Sequence, residues 1–389
     1  MFRANFQRTG VYDTPEVRQL NGLKWQSRKS PDSLTWYFCL CVSESVVCVG
    51  NSERNLYGLD SETGIELWQH QLGEKFFSNP VIYDGIVYIS SLNFNEAKTD
   101  QYFRAIDLKT GQKLWQFKLE FQPTSLMYGS VTSSPVVSKG VVYVGGTDGY
   151  LYGINISSAE LVSSFKTTKN MPLTPPALKD DIIYVASGDG YLYAIELSTG
   201  QQKWQYEIGG LKPFYPSFPA IANQSVYIIS SDNTLHSLNL QTGELLWTFK
   251  DKSRCLYAPV ITEKAIYVCG SNTSFYALDI ETGKIQWTFQ TGDVKYLSSP
   301  IMARDTIYIG GQGFLQALDA NTRKELWQFT TPLPENLILE PQFLIGKLGE
   351  GILSKLTGAT FSTEKFLTPI IYAGAIYVGC KNGYLYALH

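Results

Sequence analysis

The 389 residues carry 32 Lys+Arg against 35 Asp+Glu, a formal net charge of −3, so no global basic field draws the chain to nucleic acid or to an anionic membrane surface. Only 17% of residues are charged, while Tyr (25), Phe (20) and Gly (33) are plentiful, as expected for many half-buried strands joined by tight turns. No run approaches the roughly 20 apolar residues of a membrane helix, and Met1 to Arg8 shows no apolar signal core, so a cytoplasmic monomer is expected.

Residues 1–20 read as a lead segment. Leu23-Lys24-Trp25-Gln26 then introduces a motif that returns down the chain. A short tyrosine-rich strand, Leu56-Tyr57-Gly58-Leu59-Asp60, is followed eight residues later by Trp68. The same spacing links Asp107 to Trp115, Glu196 to Trp204, Asn239 to Trp247, Asp279 to Trp287 and Asp319 to Trp327. After Asn155 the tryptophan is missing, and Phe165 is taken as its replacement at a spacing of ten. A repeat of about 40 residues that reads as strands means a ring of similar sheets.

Each unit opens on a proline and an apolar pair: Pro80-Val81, Pro135-Val136, Pro176-Ala177, Pro219-Ala220, Pro259-Val260, Pro300-Ile301, Pro369-Ile370. A polar turn, a strand such as Val141-Val142-Tyr143-Val144, a Gly/Asp turn, the tyrosine strand and the tryptophan strand follow, giving four antiparallel strands. The tyrosine strand occurs eight times, the last being Leu385 to His389. The spare outer strand around Trp25 is predicted to complete the last blade and remove an open edge. The expected fold is therefore all-β: an eight-bladed β-propeller over 21–389, closed by the N-terminal strand. A long inter-blade insertion occupies 331–368. In the Thr-Gly turns, glycine is expected at φ > 0, and Asp279 and its counterparts should accept hydrogen bonds from the turn.

The recurring Ala-Leu-Asp-x-x-Thr-Gly-x-x-x-Trp pattern resembles the pyrroloquinoline-quinone (PQQ) repeat, the tryptophan-docking propeller motif of quinoprotein dehydrogenases, over nearly the whole chain. The repeat is also that of proteins that bind no quinone, such as the outer-membrane assembly lipoprotein and propeller domains appended to bacterial kinases. The dehydrogenase resemblance would imply an adjacent-cysteine disulfide, a Glu/Asn pair on calcium and a catalytic aspartate. This chain has no Cys-Cys pair and no matching calcium pair, so no cofactor and no metal are expected. Cys39, Cys41, Cys48, Cys255, Cys269 and Cys380 show no metal spacing, and free buried thiols are expected.

Variation in spacing points to one face. The tryptophan-to-proline link is 11 residues from Phe165 to Pro176, 20 from Trp115 to Pro135 and 42 from Trp327 to Pro369, and the second blade carries an insertion around Asn93 to Lys98. These links and that turn lie on the same propeller face, where binding sites concentrate. The predicted channel mouth holds the hydroxyls Ser78, Ser133, Thr174, Ser217 and Ser298. Around them stand Lys75, Phe76 and Phe77; Tyr128; Lys212 with Phe214 and Tyr215; Arg254 with Tyr257; Lys295 with Tyr296; and Lys365 with Phe366. A mildly basic, aromatic mouth suits an acidic protein segment or a small anionic or aromatic ligand. The leading reading is a non-enzymatic binding scaffold. Two alternatives stay open: an enzyme using Lys, Tyr and acidic side chains at the same mouth, and a PQQ- and calcium-dependent protein. The apolar insertion at 331–368 is read as a lid, a partner patch or a loop packed on its own blade.

Overall fold

Alternation of Val, Ile and Tyr with small residues makes each repeat a set of strands with apolar side chains on both faces. That pattern demands a neighbour on each side. A computed structural model describes residues 4–5, 7–28, 37–51, 53–72, 75–76, 78–95, 98–119, 133–209, 218–251, 257–270, 274–290, 298–311, 314–330, 368–380 and 384–389. They form eight antiparallel sheets built on four strands each, arranged as the blades of a propeller. The sixth blade is typical: Val260–Ile261, Ala265–Cys269, Ser274–Asp279 and Ile285–Gln290 run from the axis outward. Its second strand is buried throughout, whereas its outer strand alternates exposed and half-buried positions. The core is a series of layers between blades. One such layer joins Ala220, Tyr227 and Leu235 of the fifth blade to Ile261, Val268 and Leu278 of the sixth.

The turn chemistry follows the sequence. Asp60 Oδ1 accepts from the N–H of Glu62 (3.0 Å) and of Thr63 (2.8 Å) and from the Thr63 hydroxyl (2.8 Å). Gly64, Gly111, Gly200, Gly243 and Gly283 take φ between 67° and 74° at the next position. Where glycine is lost, Ala159 (φ 60°) and Arg323 (φ 64°) adopt the same left-handed conformation.

Five indoles bridge to the following blade. The Nε1–H groups of Trp25, Trp68, Trp115, Trp204 and Trp247 donate to the carbonyls of Ser61, Leu108, Ile156, Leu240 and Ile280, at 2.8 to 3.2 Å. One expectation needs correcting. Trp115, Trp204 and Trp287 pair across their hairpins with Ala105, Ala194 and Ala277, but in the third blade the matching pair is Gly153 with Ser163. Phe165 pairs with Leu151, the register that Phe117 and Phe289 hold in their blades. Ser163 stands eight residues after Asn155, so the repeat spacing is kept and the third blade has no indole. Aromatic similarity misled where spacing alone was right.

The ring closes through a divided blade. Leu23–Arg28 pairs antiparallel with Tyr384–Leu388 to form the outer strand of the eighth sheet. Across the divide, Asn21 N–H donates to His389 O (2.7 Å) and His389 N–H to Gly22 O (3.2 Å). These bonds replace the covalent turn of the other blades.

The lead segment is part of this architecture. Ile221, Ile261 and Met302, one on the inner strand of each of three successive blades, donate their N–H groups to Gln7 O, Thr9 O and Gly10 O at 2.8 to 2.9 Å. Val11–Tyr12 then adds as a parallel strand beside Ile301–Ala303. Val17 packs under the seventh and eighth blades, with its N–H on Tyr308 Oη (2.6 Å). Among the described residues, Cys39, Cys41, Cys48, Cys269 and Cys380 are free and buried.

Candidate functional site

Two faces of the ring differ in what covers them. On the face carrying the inter-blade links, the second blade stands out. Its strands Ile86–Asn95 and Lys98–Asp107 are ten residues each, against five and six for Val141–Gly145 and Tyr150–Asn155 in the third blade. The surplus of about four residues carries the hairpin ~13 Å beyond the rest of that face, at ~3.3 Å per residue. At its base, Arg104 bonds the Ser91 hydroxyl and lies 5.0 Å from the centroid of the Tyr102 ring. Lys75 and Phe76 form a two-residue strand paired with Leu92 and Ser91 on the hairpin's edge.

The predicted hydroxyls sit on this face but are pinned. Ser78 donates to Ser90 O (3.2 Å) and accepts from Ser90 N–H (3.1 Å). Ser298 does the same with Gly310 (3.2 and 2.9 Å). Ser133 donates to Thr174 O (3.1 Å), and Thr174 Oγ1 accepts from Ala186 N–H (3.2 Å). These side chains are buried; Ser78, Thr174 and Ser298 clip the segment entering a blade onto its second strand, and Ser133 ties the third blade's entry to the fourth's. Tyr257 is half-buried, with its N–H on Cys269 O (3.0 Å). Phe77, Tyr128, Lys212, Phe214, Tyr215, Ser217, Arg254, Lys295, Tyr296, Lys365 and Phe366 lie outside the described residues, as do 331–367 of the insertion.

The space enclosed by the inner strands holds a residue that sequence reasoning missed. Arg8 is 1% exposed, and its guanidinium reaches the carbonyls of Pro176 (2.5 Å), Ser134 (2.9 Å) and Pro135 (3.3 Å) at the start of two inner strands. The prolines that open the blades turn these carbonyls toward the axis, and a rigid five-donor fork satisfies several at once. The only signal was one basic residue in an unpatterned lead segment. Beside it lies a cavity of about 680 Å³ lined by Gln7, Thr9, Asn223, Glu263, Arg304 and Asp305 among others. Its polar groups are partly consumed internally, since Lys179 bonds Asn223 O and Asn223 bonds Glu263 O (3.3 Å).

His236, Ser230 and Asp232 are the nearest approach to a catalytic chain. Ser230 Oγ donates to Asp232 (2.5 Å), and His236 Nε2 lies 3.1 Å from that same hydroxyl. The carboxylate therefore holds the serine, not the imidazole, so it does not orient a base toward a nucleophile. Burial keeps the His236 imidazole below its usual range. Among the described residues, no cluster of three or more His, Cys, Asp or Glu side chains is placed to hold a metal.

An eight-bladed ring in which recurring indoles bond to the last turn of the neighbouring blade defines a PQQ-like repeat β-propeller. The chain belongs to the family described as outer membrane protein assembly factor BamB, whose model matches residues 17–172, 105–206 and 211–337. It is 31% identical over 121 residues to outer membrane protein assembly factor BamB of Moranella endobia (strain PCIT), an alignment spanning 31% of this chain and 27% of that relative. The match thus covers little more than a quarter of the relative's length. BamB from Moraxella catarrhalis superposes with a TM-score of 0.55 at 19% identity, over 70% of this chain and 79% of that one. Quinohemoprotein alcohol dehydrogenase ADHIIG from Pseudomonas putida HK5 superposes at 0.68 with 11% identity, over 99% and 79%, a likeness of fold.

These matches overturn the cytoplasmic expectation, because the family and its relative carry the name of an outer-membrane assembly factor. That expectation rested on the first eight residues and on the lack of a long apolar run, and neither reports a compartment. Burial pushes the Cys39 and Cys48 thiols far up, so they offer no thiolate to an oxidant in any compartment. Among the described residues no helix is long and apolar enough to cross a membrane.

Proposed function

We propose that this chain is a non-catalytic scaffold that holds an extended protein segment on its link-bearing face during the assembly of outer-membrane proteins. The observation that carries this reading is the second-blade hairpin. Among the described residues its axis-side edge is paired as far as Leu92, and none of them pairs with that edge of Asn93 to Asn95. An open edge raised above a rigid ring is a template for strand addition, in which main-chain bonds give affinity and alternate side chains give selectivity. The family's name supports the outer-membrane setting.

A photo-crosslinking amino acid at Asn95, compared in cells with one at Lys284 on the opposite face, tests the proposal. A crosslink from Asn95 to a protein of outer-membrane assembly, with none from Lys284, is the expected result. Crosslinks confined to Lys284 would overturn it.

A further inference from the structure

The seam between the third and fourth blades is built like the others but lacks its filling. In four other seams the indole lies on the glycine of the next blade's last turn. A Cβ at Gly64, Gly111, Gly243 or Gly283 would meet ring atoms of Trp25, Trp68, Trp204 or Trp247 at 2.4 to 2.6 Å. Gly200 occupies the same turn with φ +67°, yet a Cβ there would meet nothing within 4 Å. The back wall of a filled slot is the residue at the centre of its own blade's second strand, a tyrosine behind Trp25, Trp204 and Trp247 (Tyr184 lies 5.7 Å from Trp204 and Tyr227 5.9 Å from Trp247) and Cys48 behind Trp68. Tyr143 is that tyrosine in the third blade, and it pairs with Gly153.

The acceptor is also in place. In the filled seams it is the carbonyl one residue beyond the turn's Asp or Asn, and Leu240 O takes both the Trp204 indole and the Tyr184 hydroxyl. Leu197 holds that position in the fourth blade, following Glu196. Its N–H is bonded to Asp181 O, whereas among the described residues no side chain donates to its carbonyl. The rim carries Leu161 and Val162, 46% and 52% exposed.

We propose that this notch is a docking site for a tryptophan side chain presented by an extended segment of another protein, lying along the outer strand Leu161–Lys166. The filled seams specify the occupant. The floor is a glycine without Cβ, which admits a flat ring. The wall is an aromatic face. The far end is a carbonyl that requires a donor, which indole has and phenylalanine lacks. The site lies on the rim of the ring, apart from the second-blade hairpin, so it stands or falls independently of the scaffold reading.

The probe is N-acetyl-tryptophanamide, observed by saturation-transfer NMR against the full chain, with N-acetyl-phenylalaninamide as the comparison. Transfer to the indole protons is expected in the wild type and is lost in Ser163→Trp, which supplies the missing indole from within. Gly153 pairs opposite Ser163 as Gly58 pairs opposite Trp68. Ser163→Trp should also raise the Tm, which shows that the notch accepts the ring. Equal transfer in both proteins, no transfer in the wild type, or a lowered Tm for Ser163→Trp would each overturn the proposal. A concentration-dependent dimer abolished by Ser163→Trp would overturn it in favour of a second copy of this chain as the donor.

Discussion

The indole N–H of Trp327 donates to the carbonyl of Val17, 2.9 Å away and 310 residues earlier in the chain. For Trp25, Trp68, Trp115, Trp204 and Trp247 that acceptor comes from the next blade's last turn. The eighth blade has no such turn, because its outer strand comes from 23–28. The lead segment therefore supplies the missing acceptor. Trp327→Phe should keep the stacking on Tyr308 (5.9 Å) while leaving Val17 O unpaired, at a cost of about 1–3 kcal/mol. Removing residues 1–20 should cost far more, since the N–H groups of Ile221, Ile261 and Met302 lose their acceptors together. Denaturant midpoints of the two variants check this order, and equal midpoints would contradict it.

Arg8→Met should destabilise the ring by about 2–5 kcal/mol, because several buried carbonyls lose their donors at once. Arg8→Lys should recover little of that, since a single ammonium on a flexible stem cannot fork between carbonyls on two strands. Calorimetry of the three proteins distinguishes a forked contact from a simple charge.

Gly283→Ala and Gly200→Ala impose nearly the same backbone strain, at φ +68° and +67°. Only the first puts a methyl into an indole, 2.4 Å from Trp247. Gly200→Ala should cost about 1–2 kcal/mol and Gly283→Ala roughly 1–3 kcal/mol more. Urea unfolding of the pair measures the difference directly, and matching losses would mean that the indole yields freely.

Stability should fall on acidification. Hydrogen bonds from the threonines Thr63, Thr110 and Thr282 hold Asp60, Asp107 and Asp279 below the usual carboxylate range. The Thr322 backbone N–H, with Arg18, holds Asp319 at about 2. A carboxylate depressed in the folded state contributes stability above its unfolded value near 3.8, and that contribution is lost as pH falls toward about 2. The Tm should therefore be nearly flat at neutral pH and drop through this window. Asp319→Asn should start lower and fall less steeply, and an unchanged slope would count against the turn carboxylates as its source.

What the sequence made legible was whatever recurs. The eight-residue spacing from turn acid to indole marked the blades, and the spare strand at Trp25 predicted the divided eighth blade. Phe165 was misread because residue type was allowed to override spacing, whereas the pairing of Gly153 with Ser163 follows spacing alone. Arg8 was invisible because its partners are carbonyls, which every sequence contains and none displays. The hydroxyls Ser78, Ser133 and Ser298 were expected to line the channel mouth, and each is bonded to backbone. Their bonds to the backbone could not be foreseen, because a serine one turn from a strand end has the same spelling whether it faces solvent or a neighbouring strand.

The divided blade also sets a clock. The strand at 23–28 leaves the ribosome about 360 residues ahead of 384–388, the strand it pairs with. At ~5–20 residues per second the interval is on the order of tens of seconds. Throughout it an arc of finished blades offers an unpaired strand at one end and an unclosed edge at the other. Such an arc can join another arc as readily as itself, so the rate of synthesis and the crowding of nascent chains decide how many rings close singly.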